Sequence, residues 1–386
     1  MRKIWIAVLS ILAMIIALVL SILIYWEVSS MQQKAQMIKK LSEKKVVRTI
    51  VAGGVKDDFQ EKIQDNDFKE EEIVVNEEVE TKITGFRNFV ILGIDARDDS
   101  FDASTRTDTI LIVSINNDNG AVRVVSVYRD TYMKIIDDDQ NYYNRVNAAY
   151  NGGGARSALS TLNTNLDMNI SDYVIVNFSG VSEIINMLGG IDISITEIEK
   201  DRINKISSDM VEGTDIEYSP LETFGEVHLT GLQATAFCRI RDAVFYDEEG
   251  NEYHYDFGRT ARQRAVILKL VEKVKSGGVK QLLVLAKQVL NMNTEEKTFI
   301  KTSFSYDEIM DLIPIMIDYN LSGNIGFPAE LSTPTINGMD VVVAKDLAYN
   351  VSVLHEFLFE DSEYTPSETV CEISDYIAQY TGVKRE

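Results

Sequence analysis

The chain changes texture three times. From Ile4 to Trp26 every position is uncharged and most are apolar. As a helix this run is ~35 Å long, enough to cross a bilayer core. Arg2 and Lys3 precede it and Glu27 follows, so the positive-inside rule keeps a cytoplasmic tip at 1–3 and puts the rest of the chain outside. Trp5, Tyr25 and Trp26 stand at the two ends of the run, where interfacial aromatic residues belong. The length of the run and the lack of a small-residue cleavage signature favour a retained signal anchor over a removed signal peptide.

Residues 27–85 read as an extended stalk. Gln32–Val47 is polar and rich in lysine. Lys56–Glu80 gathers acidic clusters (Asp57-Asp58, Glu70-Glu71-Glu72, Glu77-Glu78) with little periodic apolar content, too little to offset the entropy of ordering. Past Asn88 come three β-type runs, Phe89–Ile94, Thr109–Ile115 and Ala121–Tyr128. The turn signal Asn117–Gly120 joins the last two as a hairpin. Helical and strand patterns then alternate: helices near 156–166, 180–188, 230–237, 258–276, 278–291 and 305–318, strands at 173–178 and 191–195, and a late strand at 341–344. This alternation predicts an α/β domain over 86–359, a central mixed β-sheet flanked by helices. One transmembrane helix and the stalk precede it, and an acidic tail over 360–386 follows.

Composition narrows the chemistry. Among 386 residues, 38 basic and 60 acidic side chains give a net charge of −22, which opposes attraction to nucleic acid. Two cysteines exclude a disulfide scaffold. Cys238, between Phe237 and Arg239, reads as a small buried thiol, and pairing with Cys371 would need tail and core to meet. His228, His254 and His355 lack the spacing of zinc ligands.

The polar residues converge at strand ends. If the first three strands run up, down and up, one sheet edge carries Asp95 and Arg97, Arg106 and Asp108, and Arg129 and Asp130. One such pair would be an ordinary surface ion pair; three on one edge point to a site. The helix near Gly258 has a stripe that starts polar, with Arg259, Arg262 and Gln263, and becomes apolar at Val266, Ile267, Leu270 and Val274. Arginines in a first turn are unfavourable unless an anion faces that end. Asp256 fits either a helix cap or a site acid. Arg239 and Arg241, two apart, share a face if extended. Arginine forks suit phosphate oxygens, and two carboxylates suit a divalent ion held with phosphates, so the set suggests a diphosphate with such an ion.

In these residues the chain resembles the LytR-CpsA-Psr family. The carrying segments are NFVILGIDAR, STRTDTILIVSIN, VVSVYRDTYMKI, RVNAAYNGGG, YVIVNFSGVSEIINMLGGIDI, HLTGLQATAFCRIRD and DFGRTARQRAVI, in order from Phe86 to about Leu290. The resemblance implies a membrane-anchored, extracytoplasmic phosphotransferase of a Gram-positive-type envelope. Such an enzyme moves a glycopolymer (teichoic acid, capsule or another secondary polysaccharide) from a polyprenyl pyrophosphate carrier to a muramic acid hydroxyl of peptidoglycan. It implies Mg²⁺, with Mn²⁺ as substitute, on Asp95 and Asp108. Arg129, Arg239 and Arg241 become catalytic, with Asp130 or Asp256 as the base. Arg97, Arg106, Arg145, Asn147, Arg259, Arg262 and Gln263 become substrate-binding residues, Arg145 standing where the family often has lysine. The segment Ala243–Tyr255 is longer than the family pattern, as a lid, an acceptor loop or a plain insertion. Helices at Val181–Leu188 and Ala265–Val274 are candidates to line a lipid groove. The alternatives are a polyprenyl-pyrophosphate hydrolase or carrier-binding protein, a scaffold and, ranked last, a membrane-tethered transcriptional attenuator, which lacks a helix-turn-helix beside a basic patch.

Overall fold

The computed structural model describes residues 63, 65, 68–77, 79, 83–94, 101, 105–214, 216–290, 292–294, 297–305, 307–309 and 320–385. The predicted anchor 4–26, most of the stalk, and Asp95 and Arg97 lie outside the described residues. Among the described residues no helix is long and apolar enough to cross a membrane.

The β-branched runs form β1 (Phe86–Ile94), β2 (Thr107–Asn116) and β3 (Ala121–Val127), an antiparallel meander joined as predicted by the turn at 117–120. β2 is buried along nearly its whole length because both of its faces are covered, as expected of a central strand. A ribbon follows, β4 (Tyr132–Ile135) paired with β5 (Tyr142–Arg145). Then come α1 (Ala148–Leu166), kinked at Gly153 and Gly154, β6 (Asp172–Asn177) and α2 (Phe178–Met187). β6 pairs parallel to β1, and later strands at Ile300–Thr302 and Asn320–Phe327 close the edges. The result is a mixed six-stranded sheet flanked by helices.

One face packs Val90, Leu92, Ile112 and Val125 against Leu159 and Leu162 of α1. A second core lies beside the sheet, built from β7 (Ile191–Ile195), α3 (Glu197–Val211), β8 (Gly225–Leu229) and α4 (Gly231–Phe237). The helix α5 (Tyr255–Leu290), read from sequence as two, is continuous and joins this core to the sheet.

Two predicted boundaries are corrected. The end of the stalk is part of the domain: Ile73, Val79 and Ile83 are buried in the main core, and the Asn76 amide donates to Asp167 Oδ1 at 2.6 Å. These apolar residues are too sparse among acids to register as a pattern. The acidic tail is not a tail either. After α6 (Leu347–Phe359) it forms α7 (Glu368–Thr381), capped by Ser367 and burying Val370, Ile373 and Ile377. That i, i+3, i+7 stripe is the helical period, hidden by surrounding charge. A chain ended at Ser367 loses these three side chains at ~1.5–3 kcal/mol each, a large share of the ~5–15 kcal/mol that holds a domain together. Such a truncation is expected to abolish cooperative thermal unfolding in circular dichroism; a transition at the full-length temperature would contradict this packing.

Candidate active site

The antiparallel register brings the start of β2 beside the end of β3. Beyond the last paired residues, Arg129 Nη1 donates to Asp108 Oδ1 at 2.5 Å. From the first turn of α5, Arg259 Nη1 donates to the other oxygen of Asp108 at 3.2 Å. Arg259 Nη2 lies 3.0 Å from Asp256 Oδ1, and Arg129 Nε lies 3.4 Å from Asp256 Oδ2. Asp130 stands between Arg129 Nε at 3.6 Å and Arg145 Nε at 3.4 Å. Arg241 Nε is 3.9 Å from Asp256. Guanidinium groups and carboxylates thus alternate from Arg145 to Arg241.

Arg239 stands apart from this alternation, its guanidinium 5.1 Å above the Phe178 ring. Arg239 and Arg241 leave the end of α4 in a turn rather than a strand, yet both line one cavity of about 580 Å³ with Asp108, Arg259, Phe178 and Met210. Three arginines (Arg239, Arg241, Arg259) and three acids (Asp108, Asp209, Asp242) line it, but Asp108 is also paired with Arg129 and Asp242 with Arg202, both outside the lining, so the cavity can take an anion in a chain that is acidic overall.

The environments set the charges. Burial opposes ionisation of Asp108, but Arg259 and Arg129 outweigh it and hold its carboxyl below the usual range. At Asp130 burial wins: its pKa is raised, with Asp256 adding to the effect and Arg129, Arg145 and Arg259 opposing it. Asp130 Oδ1 is buried without a hydrogen bond. Cys238, behind the cavity, is buried and its thiol is pushed up to about 12 by burial, which leaves it protonated and no nucleophile. Cys238 and Cys371 are both free.

Gln263 and Asn147 are buried beside these groups, each with a side-chain oxygen lacking a partner. The Asn147 backbone N–H donates to the carbonyl of Arg129 at 3.1 Å. Arg106 is exposed beside Thr107.

Arg262 requires correction as a substrate-binding residue. It is 0% exposed. Its Nε donates to Glu199 at 2.9 Å, and its other nitrogens donate to the carbonyls of Ile240, Ala243 and Val244. All three of its nitrogens donate inside the second core, and the side chain does not line the cavity.

Asp108 offers the hard oxygen that a divalent ion would need. Asp108 is kept anionic and fits one of two carboxylate ligands, the other being Asp95, outside the described residues. Among the described residues no three metal-ligating groups converge, so phosphate oxygens would have to complete the shell.

The cavity shares Phe178 and Cys238 with an apolar slot of about 60 Å³, lined by Ile91, Val176, Val181, Val266 and Ile267. Both helices expected to border a groove contribute to it. Sequence reasoning missed Phe178 and the α3 wall. Phe178 follows β6, whose parallel pairing sets Asn177 opposite Ile94 at the site edge, and non-local parallel pairing leaves no mark in a local pattern. The predicted insertion is a short hairpin, Phe245–Tyr246 with Glu252–Tyr253, that ends beside Asp256.

A model of the LytR_cpsA_psr family matches residues 49–351. The polyisoprenyl-teichoic acid–peptidoglycan teichoic acid transferase TagV of Bacillus subtilis strain 168 is 26% identical over 271 residues, 68% of this chain and 61% of the relative. The transferase of that description called TagU in Enterococcus faecalis is 31% identical over 230 residues, 60% of this chain and 64% of the relative. The chain therefore spans less than two thirds of the length of these curated relatives. In fold it resembles a Streptococcus agalactiae protein (TM-score 0.60, 21% identity, covering 81% of this chain and 98% of that one). It also resembles the crystal structure of B. subtilis TagV (TM-score 0.52, 22% identity, 72% and 99%).

Proposed function

The chain belongs to the LytR_cpsA_psr family, and from that premise we propose that it is a membrane-anchored, extracytoplasmic phosphotransferase. It would move a glycopolymer from a polyprenyl pyrophosphate carrier to peptidoglycan. One observation carries the reading: an arginine-lined cavity opens beside an apolar slot, sharing Phe178 and Cys238 with it. A diphosphate needs the first and a prenyl chain the second. At about 60 Å³ the slot is smaller than such a chain, so its entry requires the slot to widen.

Arg239, Arg241, Arg259 and Arg129 hold the diphosphate. An acceptor hydroxyl attacks the phosphorus nearest the sugar, a new P–O bond forms to the acceptor, and the bond to the bridging oxygen breaks. That oxygen leaves with its electron pair on the polyprenyl phosphate. Negative charge grows on the leaving and equatorial oxygens, where fixed guanidinium groups stabilise it without reorganisation. Mg²⁺ held by Asp108 and Asp95 would supply further charge stabilisation on the phosphoryl oxygens. The acceptor proton passes to a carboxylate. Asp130 is the candidate base, because burial raises its proton affinity and its Oδ1 lacks a hydrogen bond.

The decisive assay gives the full-length protein in detergent a labelled lipid-linked glycan and peptidoglycan oligomers. Label joined covalently to the oligomers, with polyprenyl monophosphate released, is the expected result. Release of phospho-glycan into water alone makes the protein a hydrolase.

A base works only when ionised, so transfer falls as pH drops through its pKa. With Asp130 the acid limb of kcat/KM is expected above the ordinary carboxylate value of about 4. Asp130→Asn is expected to lower kcat ~10²–10⁴-fold and remove that limb. A limb that persists in Asp130→Asn and vanishes in Asp256→Asn moves the role to Asp256.

A further inference from the structure

Three acids line the arginine cavity, and each is held by a cation of its own. Asp108 has Arg129 at 2.5 Å and Arg259 at 3.2 Å. Asp209 accepts from Lys205, one turn back on α3, at 3.2 Å. Asp242 lies 2.7 Å from Arg202 Nη2. Neither Lys205 nor Arg202 lines the cavity.

The consequence shows at Arg239. Among the described residues it has no ion pair, although Asp242 follows it by three residues and Asp209 lines the same cavity. Its guanidinium rests instead 5.1 Å above the Phe178 ring. Arg241 has only Asp256, at 3.9 Å. A chain of net charge −22 offers acids freely, so an arginine stays unpaired there only if the nearest acids are taken.

The pair that takes Asp242 joins two walls. Arg202, Ile206, Asp209 and Met210 recur at i, i+4, i+7 and i+8, one face of α3, and the last three line the cavity. Asp242 belongs to the turn after α4 that carries Arg239 and Arg241. Its side chain is 61% exposed and that of Arg202 41%, so their bridge adds little to stability. Arg262 also feels the charge of Asp242, but its nitrogens are engaged by Glu199 and three carbonyls. Arg202 is therefore the cation that answers Asp242.

We propose that Arg202 is a positioning residue of the transfer site: by holding Asp242 it keeps Arg239 free of a carboxylate and removes a negative charge from the wall that the diphosphate approaches. Without Arg202, Asp242 either turns to Arg239 or Arg241 or faces the phosphates unneutralised, and both outcomes weaken donor binding. The inference rests on the diphosphate reading above and adds the residue that keeps the arginines available to it.

A plain tether between α3 and the turn predicts something else, that breaking the bridge from either side has one effect. The test uses the full chain in detergent, with calorimetric affinity for farnesyl diphosphate and KM for the lipid-linked donor as readouts. Arg202→Ala is expected to weaken both ~5-fold, the upper range for an exposed ion pair. Arg202→Lys, which keeps the charge, is expected to restore them. Asp242→Asn breaks the same bridge, yet is expected to bind farnesyl diphosphate as tightly as wild type or tighter. Arg202→Ala in the Asp242→Asn background is expected to cost less than ~2-fold, because no acid is left to answer. Weakened binding in Asp242→Asn makes the pair a tether and overturns the proposal. Unchanged affinity in Arg202→Ala does so too, as does a full ~5-fold loss in the double variant, which would mean that Arg202 acts on the phosphates directly. Should Arg202→Ala melt early, Asp242→Asn decides alone. The two readings separate: affinities that follow this pattern without any transfer to peptidoglycan sink the reaction but leave Arg202 its role, and transfer with unaltered donor KM in Arg202→Ala does the reverse.

Discussion

Replacing Arg239 and Arg241 together by alanine is expected to lower transfer by ~10³-fold or more while leaving the fold intact. The expected size follows from what a single guanidinium contributes to phosphoryl transfer, ~10³–10⁵ in kcat in well-placed cases. The intact fold follows from the surroundings. The Arg241 side chain is 55% exposed and its nearest acid is 3.9 Å away, so it stabilises the native state little. Arg239 rests on Phe178, a contact of ~0.5–1 kcal/mol near the surface. The pair therefore separates catalysis from stability better than Arg129 or Arg259, whose removal would leave Asp108 or Asp256 with less compensation. Transfer kinetics on the lipid-linked donor, beside a thermal melt, decide the matter. Activity within tenfold of wild type would remove these arginines from the mechanism, and with them the reason for reading the cavity as a diphosphate site.

The alternation of strand runs and turns was enough to place Asp108 opposite Arg129, because a hairpin is local and its register follows from its turn. The period-3.6 stripe likewise located the start of α5 and Arg259. What escaped depended on partners far along the chain. β6 lies parallel to β1 and Asn320–Phe327 parallel to β3, pairings that no nearby turn announces. Asn76 and Ser367 look like polar residues of a stalk and a tail. Both bond Asp167, which is fully buried, and so the two ends are drawn onto the domain. Acidic composition describes those segments truly and still misses the few apolar residues that decide where they go.

Arg259 and Arg262 show the limit most sharply. They are one helical turn apart, and sequence spacing gives them one face. In the fold residues 259–264 are buried on all sides, so each arginine answers to a different neighbour. Arg259 meets Asp108 on the sheet edge; Arg262 meets Glu199, the buried first-turn acid of α3. Nothing within ten residues of Arg262 reveals that partner.

Arg262→Met is accordingly expected to destabilise the protein by ~3–5 kcal/mol, because removing one member of a buried pair leaves an uncompensated charge. Three carbonyls, of Ile240, Ala243 and Val244, lose their donor as well. Glu199→Gln in the Arg262→Met background is expected to recover much of the loss. Glutamine removes the stranded charge yet can still accept from the Thr196 N–H and hydroxyl that Glu199 now serves, as Gln233 does for Thr230 in α4. Denaturant unfolding of the two single variants and the double gives the coupling, expected to exceed ~1 kcal/mol for residues in direct contact. A substrate-binding arginine predicts another pattern: stability near wild type, a raised donor KM, and no rescue by Glu199→Gln. That pattern would return Arg262 to the cavity and contradict the buried geometry on which the division between the two arginines depends.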